Sequence, residues 1–482
     1  MDFGEEREVL DSRLVTSPDR IDPRVADLLA EVGPADADTG GHGVTTTLVG
    51  TDPVLPTPYP VGEAAATAIA ATATLAAQTW LDATGQGQDV TVEVRRAAES
   101  LVSFLRQRVA GPPMKRLGSW SETTHLFQGR GGRWIHLHGG FPHLADGTIA
   151  VLGCEPTRGA IAAAVAQRDP FELEEALAAA GMCGAAARTR DEWLEHPQAQ
   201  ALAPLGRVVV RKVADGPAIP ATDEERPFGE VRVVDLTRLL AGPTVGRSLA
   251  EHGAQVLLVN SPKLDNIDPF VIDTSHGKRS TYLDLDADAD AARLRELIGE
   301  ADVFVQGYRG GSLERRGFGA EDLMADHPGL IHVSVNCYGP VGPWRERPGW
   351  EQLAQSACGL AVGHGGVDTP QVMPAAVCDY TTGYLASVGA AAALRRRALE
   401  GGSYVVEASL CQTAMWIGAL GATLDPAAVQ GSVFGDEGTP LVTIESGYGT
   451  LQHLPPVPQL SVTPARWDLP PSPLGTHEPA FA

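Results

Sequence analysis

The stretch "VRVVDLTRLLAGPTVGRSLAEHGAQVLLVNSP", residues 231–262, decides the fold. Its opening, "VRVVDLT" (231–237), is an apolar, β-branched run and predicts a buried strand. "AGPTVGRSLAEHG" (241–253) follows as a helix, with Pro near its first turn and Gly at its end. "QVLLVN" (255–260) is a second buried strand. Downstream, "STYLDLD" (280–286), "DVFVQ" (302–306) and "LIHVSV" (330–335) predict further strands, and "DADAARLRELIGEA" (288–301) an amphipathic helix. Strand and helix alternate, as in a parallel, doubly wound sheet.

Upstream the pattern breaks. "RKVADGPAIPATDEERPFGE" (211–230) is Pro-rich and charged and predicts a linker, dividing the chain into 1–228 and 229–482. In the first part "PVGEAAATAIAATATLAAQTWL" (60–81) predicts a long helix of small residues. "DVTVEV" (89–94), "RWIHLHG" (133–139) and "GRVVVRKV" (206–213) predict strands, and 161–181 contains two helices. The region 58–97 also echoes 373–412: each has a Pro, an acid (Glu63, Asp379), a small-residue helix, a Gly-rich turn and a V-x-E strand.

The 482 residues suffice for about two or three domains with real cores. A net charge of −23 argues against nucleic acid and anionic lipid as partners. No run of about 18 uncharged apolar residues predicts a membrane span, and the acidic "MDFGEEREVLDSRLV" (1–15) does not read as a secretory leader. Six cysteines without a C-x-x-C pair suit reduced thiols, so a cytoplasmic location is expected.

Asp379, in "PAAVCDYTTGYLASVGAAAALRRRA" (374–398), sits at the mouth of an apolar helix. Asp is a preferred N-cap. A carboxylate there also lies beside amides able to stabilise an oxyanion, and it could attack a thioester carbonyl, with Thr381, Thr382 and Gly383 leaving room for approach. "HGKRS" (276–280) and "GYRGGSLERRG" (307–317) place Lys278, Arg279, Arg309, Arg315 and Arg316 near strand ends, where ligands of open parallel sheets bind, or else leave them as solvated surface. "TGQGQ" (84–88) lacks the context of a phosphate loop. His136, His138 and His143 lack the acidic or thiolate company of a metal site, so no metal is expected.

The second half resembles the family III CoA-transferases, the CaiB/BaiF group. The resemblance rests on the opening stretch, on "HGKRSTYLDLD", "ADVFVQGYRGGSLERRGFGAEDL", "PGLIHVSVNCYGPVGPWRERPGWEQLAQSACGLAVGHG" and "CDYTTGYLASVGAAAAL", in the family's order over about 229–417. The tail "QLSVTPARWDLPPSPLGTHEP" (459–479) is similar to the family's ending. "ALAAAGMCGAAARTRDEWLEHPQAQA" in the first half resembles the family's smaller domain, so the usual order is rearranged, with the acid–helix–strand unit present twice.

The resemblance implies a Rossmann-like doubly wound parallel sheet with a smaller α/β domain. It implies a CoA-transferase that moves CoA from an acyl-CoA donor to a carboxylic acid, with Asp379 passing through an acyl anhydride and an aspartyl-CoA thioester. Coenzyme A thioester is then substrate, and no permanently bound cofactor is expected. CoA contacts fall on Arg238, Leu239 and Ala241 and on Tyr308, Arg315 and Arg316, with Lys278 and Arg279 as phosphate partners. Leu240 stands where the family often has Gln or Val. Family racemases use a His in a "G-H-D" run; here the run is "GWE", and the Trp350 indole is no base at neutral pH. Glu351 could substitute, so a racemase or isomerase is the runner-up, and a non-catalytic CoA-binding protein a third reading. Glu63 is either a helix-start acid or a second, degenerate site. The assembly is either a homodimer or an intrachain pseudo-dimer.

Overall fold

The computed structural model of the chain describes residues 21–33, 43–110, 122–221, 225–429, 432–433 and 438–481. The acidic stretch 1–15 and residues 222–224 of the expected linker lie outside them.

Seven strands form the main sheet: β1 (Val209–Ala214), β2 (Arg232–Leu236), β3 (Gln255–Asn260), β4 (Lys278–Tyr282), β5 (Val303–Gln306), β6 (Ile331–Asn336) and β7 (Ser403–Ser409). Their order is β4–β3–β2–β5–β6–β7–β1. Six run parallel, and β1 closes the edge antiparallel to β7. This is the expected doubly wound α/β sheet. Several boundaries differ from expectation, two of them with a visible cause. β1 takes Arg211–Ala214 out of the linker because those residues pair with Ser403–Val405 on β7. β4 starts and ends early: the Asp286 amide turns back onto the Asp284 carboxylate (3.1 Å), and Lys263 pairs with both acids.

The strand order reverses between β2 and β5, so the loops leaving their carboxyl ends, 237–241 and 307–316, flank a crevice. A smaller α/β unit lies in the first half. Strands His125–Gln128, Trp134–Leu137 and Gly184–Ala186 pair antiparallel, and helices Arg158–Ala166 and Pro170–Ala179 cover them around Phe127, Ile135, Ile161 and Leu177.

The echo is visible in the fold. Helices Val61–Thr84 and Val377–Glu400 are each 24 residues long, and each leads through a glycine turn into a strand and then a further helix. They pack against one another. Their Ala, Thr and Gly residues are almost all buried, and small residues allow helix axes to approach closely. Among the described residues no helix is long and apolar enough to cross a membrane.

Candidate active site

Helix Val377–Glu400 starts from Ala376, which offers no side-chain cap. Asp379 is the third residue of its first turn and is not the N-cap, which corrects one of the two readings of this acid. The cap comes from another helix, Glu351–Ala357. Glu351 Oε1 accepts the Cys378 amide at 3.1 Å, and Oε2 accepts the Asp379 amide at 2.5 Å. Gln355 Nε2 donates to Glu351 at 2.6 Å and its Oε1 accepts the Met373 amide at 2.8 Å, fixing the approach to the helix. The Tyr380 amide is taken by the Ala376 carbonyl. These first-turn amides are therefore engaged and do not serve as the expected oxyanion donors.

The Asp379 carboxylate has no hydrogen-bond partner among the described residues. It is half-buried, and it faces a cavity of about 190 Å³. The walls come from both halves of the chain: Phe104 and Leu105 from the first, Leu239, Leu240, Phe270 and Trp350 from the second. Burial pushes the Asp379 carboxyl well above the usual range, and the charge of Glu351 pushes it further. Burial raises Glu351 too, while the donors from Gln355, Cys378 and Asp379 pull it back. Charge thus settles on the hydrogen-bonded Glu351, and Asp379 holds a proton to higher pH than an isolated aspartate.

Leu239 and Leu240 belong to the loop leaving β2 at the switch point. Leu239 is the one non-glycine residue with positive φ (72°) among the described residues, a conformation that costs an L-residue roughly 1–2 kcal/mol and concentrates at functional sites. Arg238 donates to the Asp265 carbonyl and lies 5.4 Å from the Phe141 ring, which belongs to the smaller unit. Across the crevice Tyr308, just after β5, is close enough to Arg238 to perturb it electrostatically, and its amide donates to Gln306 (2.9 Å). Ala241 opens helix Ala241–Ala250. Of these residues Leu239 lines the cavity that Asp379 faces, Arg238 precedes it on the same loop, and Tyr308 lies near Arg238.

The remaining basic candidates part ways. Lys278 is 1% exposed, and its ammonium donates to Asp235 (2.7 Å) and to the Pro243 carbonyl (2.6 Å). It starts β4, opposite Val256 at the amino end of the sheet. The expectation of a phosphate contact is corrected: Lys278 ties β2 to the next helix. Arg279 stands at the same remote end. Arg316 sits in the loop after β5 but pairs with Asp286 (2.8 Å) and the Leu285 carbonyl, and Arg315 beside it is exposed. Thr381, Thr382 and Gly383 are buried within the helix packing and leave no room for substrate; a Cβ on Gly383 would come 2.5 Å from the Ala241 carbonyl oxygen.

Trp350, in the place of the racemase histidine, stacks on His138 at 4.1 Å and 18°. Burial drives His138 down to about 3, so that imidazole is neutral. Glu63 occupies the position in helix Val61–Thr84 that Asp379 holds in its own helix. The preceding residues have nearly equal backbone angles, φ −79° and ψ 63° at Pro60, φ −83° and ψ 61° at Ala376. Asp52 accepts the Glu63 amide at 2.7 Å, as Glu351 accepts that of Asp379. Glu63, however, is ion-paired with Arg24 at 2.9 Å.

The doubly wound sheet, with an unpartnered acid facing a cavity lined by its switch-point loop, defines an α/β protein with a candidate ligand site at that crevice. The comparisons narrow that class: residues 229–439 match the family model "CoA-transferase family III". The acetyl-coenzyme A transferase nodX of Hypoxylon pulicicidum is 34% identical over 321 residues, 61% of this chain and 54% of that protein. The succinyl-CoA–L-malate CoA-transferase beta subunit of Chloroflexus aurantiacus is 33% identical over 201 residues, 39% and 50% respectively. The chain spans about half the length of these relatives. A CaiB/BaiF family protein from Brucella suis matches in structure with a TM-score of 0.38 at 25% identity, over 47% of this chain and 65% of that one.

Proposed function

We propose that the protein transfers CoA from an acyl-CoA donor to a carboxylic acid, with Asp379 as the nucleophile. The observation that carries this is the Asp379 carboxylate, unpartnered and facing a cavity beside the switch-point loop. Once ionised, an Asp379 oxygen attacks the thioester carbonyl; the C–S bond breaks and CoA thiolate leaves, giving an acyl anhydride. The thiolate attacks the aspartyl carbonyl, releases the donor acid and leaves an aspartyl-CoA thioester. The acceptor carboxylate attacks that thioester, freeing thiolate and forming a second anhydride. The thiolate then takes the acceptor acyl group and regenerates Asp379. No oxidant or further reactant is required, and each step conserves the energy of an activated acyl group.

Arg238 and Tyr308, on the two loops of the crevice, are the proposed CoA contacts, with Leu239 and Ala241 supplying backbone beside the thioester. Arg315 is free to swing toward an anion, whereas Arg316 must leave Asp286 to do so.

Asp379→Ala is expected to lower exchange of labelled CoA into acyl-CoA by about 10³-fold or more, with an unchanged melting transition. Hydroxylamine added during turnover is expected to convert Asp379 to a hydroxamate. Exchange at the parent rate, or label lost from the α-carbon with no hydroxamate, would overturn the assignment.

A further inference from the structure

Resting on that reading, we infer that the acyl group is uncharged and apolar beyond its reacting carbonyl, so that monocarboxylic acids, and not dicarboxylic ones, are donor and acceptor. Among the described residues the cavity in front of Asp379 has no cationic side chain in its lining. Its ionisable groups are the two acids, Asp379 and Glu351. Its broad walls are Phe104, Leu105, Leu240, Phe270 and Met373, with Phe104 and Phe270 locked edge to face at 4.8 Å. The Gln355 amide is engaged on both sides. Gln352 adds a neutral acceptor, its Oε1 buried and without a partner, suited to a hydroxyl or amide N–H on the chain. Arg238, in the adjoining loop, turns away onto the Asp265 carbonyl and the Phe141 ring.

A second carboxylate carried into this cavity would lose its water, find no counter-charge among the described residues and face the acids Asp379 and Glu351. An alkyl or aromatic chain would instead cover apolar wall. The acids named for the Chloroflexus relative each carry two carboxylates, so the lining predicts a different acyl class for this chain.

The test uses the full chain with two donors, hexanoyl-CoA and succinyl-CoA, each with its matching free acid labelled as acceptor. The expected result is a kcat/KM higher for the hexanoyl pair by about a hundredfold or more. Leu105 is 55% exposed at the cavity mouth, so Leu105→Arg adds a cation without burying it; it is expected to narrow the ratio about fivefold. A parent enzyme that prefers succinyl-CoA or treats both alike, or an L105R ratio that does not move, overturns the inference while leaving Asp379 as nucleophile. Binding of hexanoate and succinate, read by Trp350 fluorescence against a Trp350→Phe control, reports on the cavity without turnover; equal affinities overturn the inference too. Failure of every donor together with absence of the Asp379 hydroxamate sinks the mechanism, and the acyl class falls with it.

Discussion

The Glu351 carboxylate accepts the amides of Cys378 and Asp379 and at the same time places a charge beside the Asp379 oxygen. These two effects pull in different directions: the first fixes the helix mouth, the second keeps Asp379 protonated and non-nucleophilic at low pH. Glu351→Gln removes the charge and leaves one acceptor where there were two. The acid limb of the pH–rate profile is expected to move to lower pH, because Asp379 then ionises more easily. Stability is expected to fall by about 1–3 kcal/mol, since one buried amide loses its acceptor. A pH titration of CoA exchange with a denaturant melt checks both; an acid limb that stays in place shows that Glu351 does not tune Asp379. The sequence made Asp379 visible as a candidate, because an acid before an Ala-rich run is an anomaly. It could show neither that the cap comes from 28 residues upstream nor that Lys278 is buried against Asp235, because both depend on which strand and helix lie next to one another. Phe104 and Leu105 gave no signal at all. They are ordinary apolar residues on a one-turn helix, and only the fold carries them to the site.

At the scale of elements, the helix holding Asp379 and the helix opened by Ala241 meet at Gly383. An added methyl there would lie 2.5 Å from the Ala241 carbonyl oxygen and 2.6 Å from Thr244 Cβ, inside any real contact distance. The first of these atoms is backbone and cannot rotate away. Gly383→Ala is therefore expected to push the two helices apart, lower stability by about 1–3 kcal/mol and displace the Leu239–Ala241 loop. The functional readout is a raised KM for acyl-CoA with a smaller change in kcat, since the displaced loop is the proposed CoA contact and Asp379 stays capped by Glu351. Equal KM values in the variant and the parent would show that the loop is positioned independently of this packing. The elements themselves were legible, because Pro, Gly and the apolar runs mark their ends: "QVLLVN" is β3 to the residue. What β1 pairs with was not. "GRVVVRKV" reads as a strand, but antiparallel pairing with β7, some 190 residues later, leaves no local trace.

At the scale of the whole molecule, the boundary between 228 and 229 marks where the family-model match begins; we propose that it does not separate two folding units. Helix Val61–Thr84 is buried along nearly its whole length, and its main partner is helix Val377–Glu400. β1 covers the edge of β7, which would otherwise expose a full row of backbone donors and acceptors. The chain end returns the exchange: Gln459–Leu460 pairs with Thr91 and Val90, and Gly449–His453 pairs with Arg108–Ala110. Each half therefore completes sheets of the other, which is what the proposal of one folding unit rests on. Cleavage at a protease site inserted into the exposed stretch 215–218 is expected to leave one particle by size exclusion, with CoA exchange retained and a single cooperative unfolding transition. Residues 229–482 expressed alone are expected to aggregate, since they present an uncovered helix face and a bare strand edge, and to become soluble when 1–228 is co-expressed. A soluble 229–482 fragment that melts cooperatively on its own would show that the halves are autonomous. Phe104 and Leu105 would then be additions from a separate domain to a cavity whose other walls stand without them.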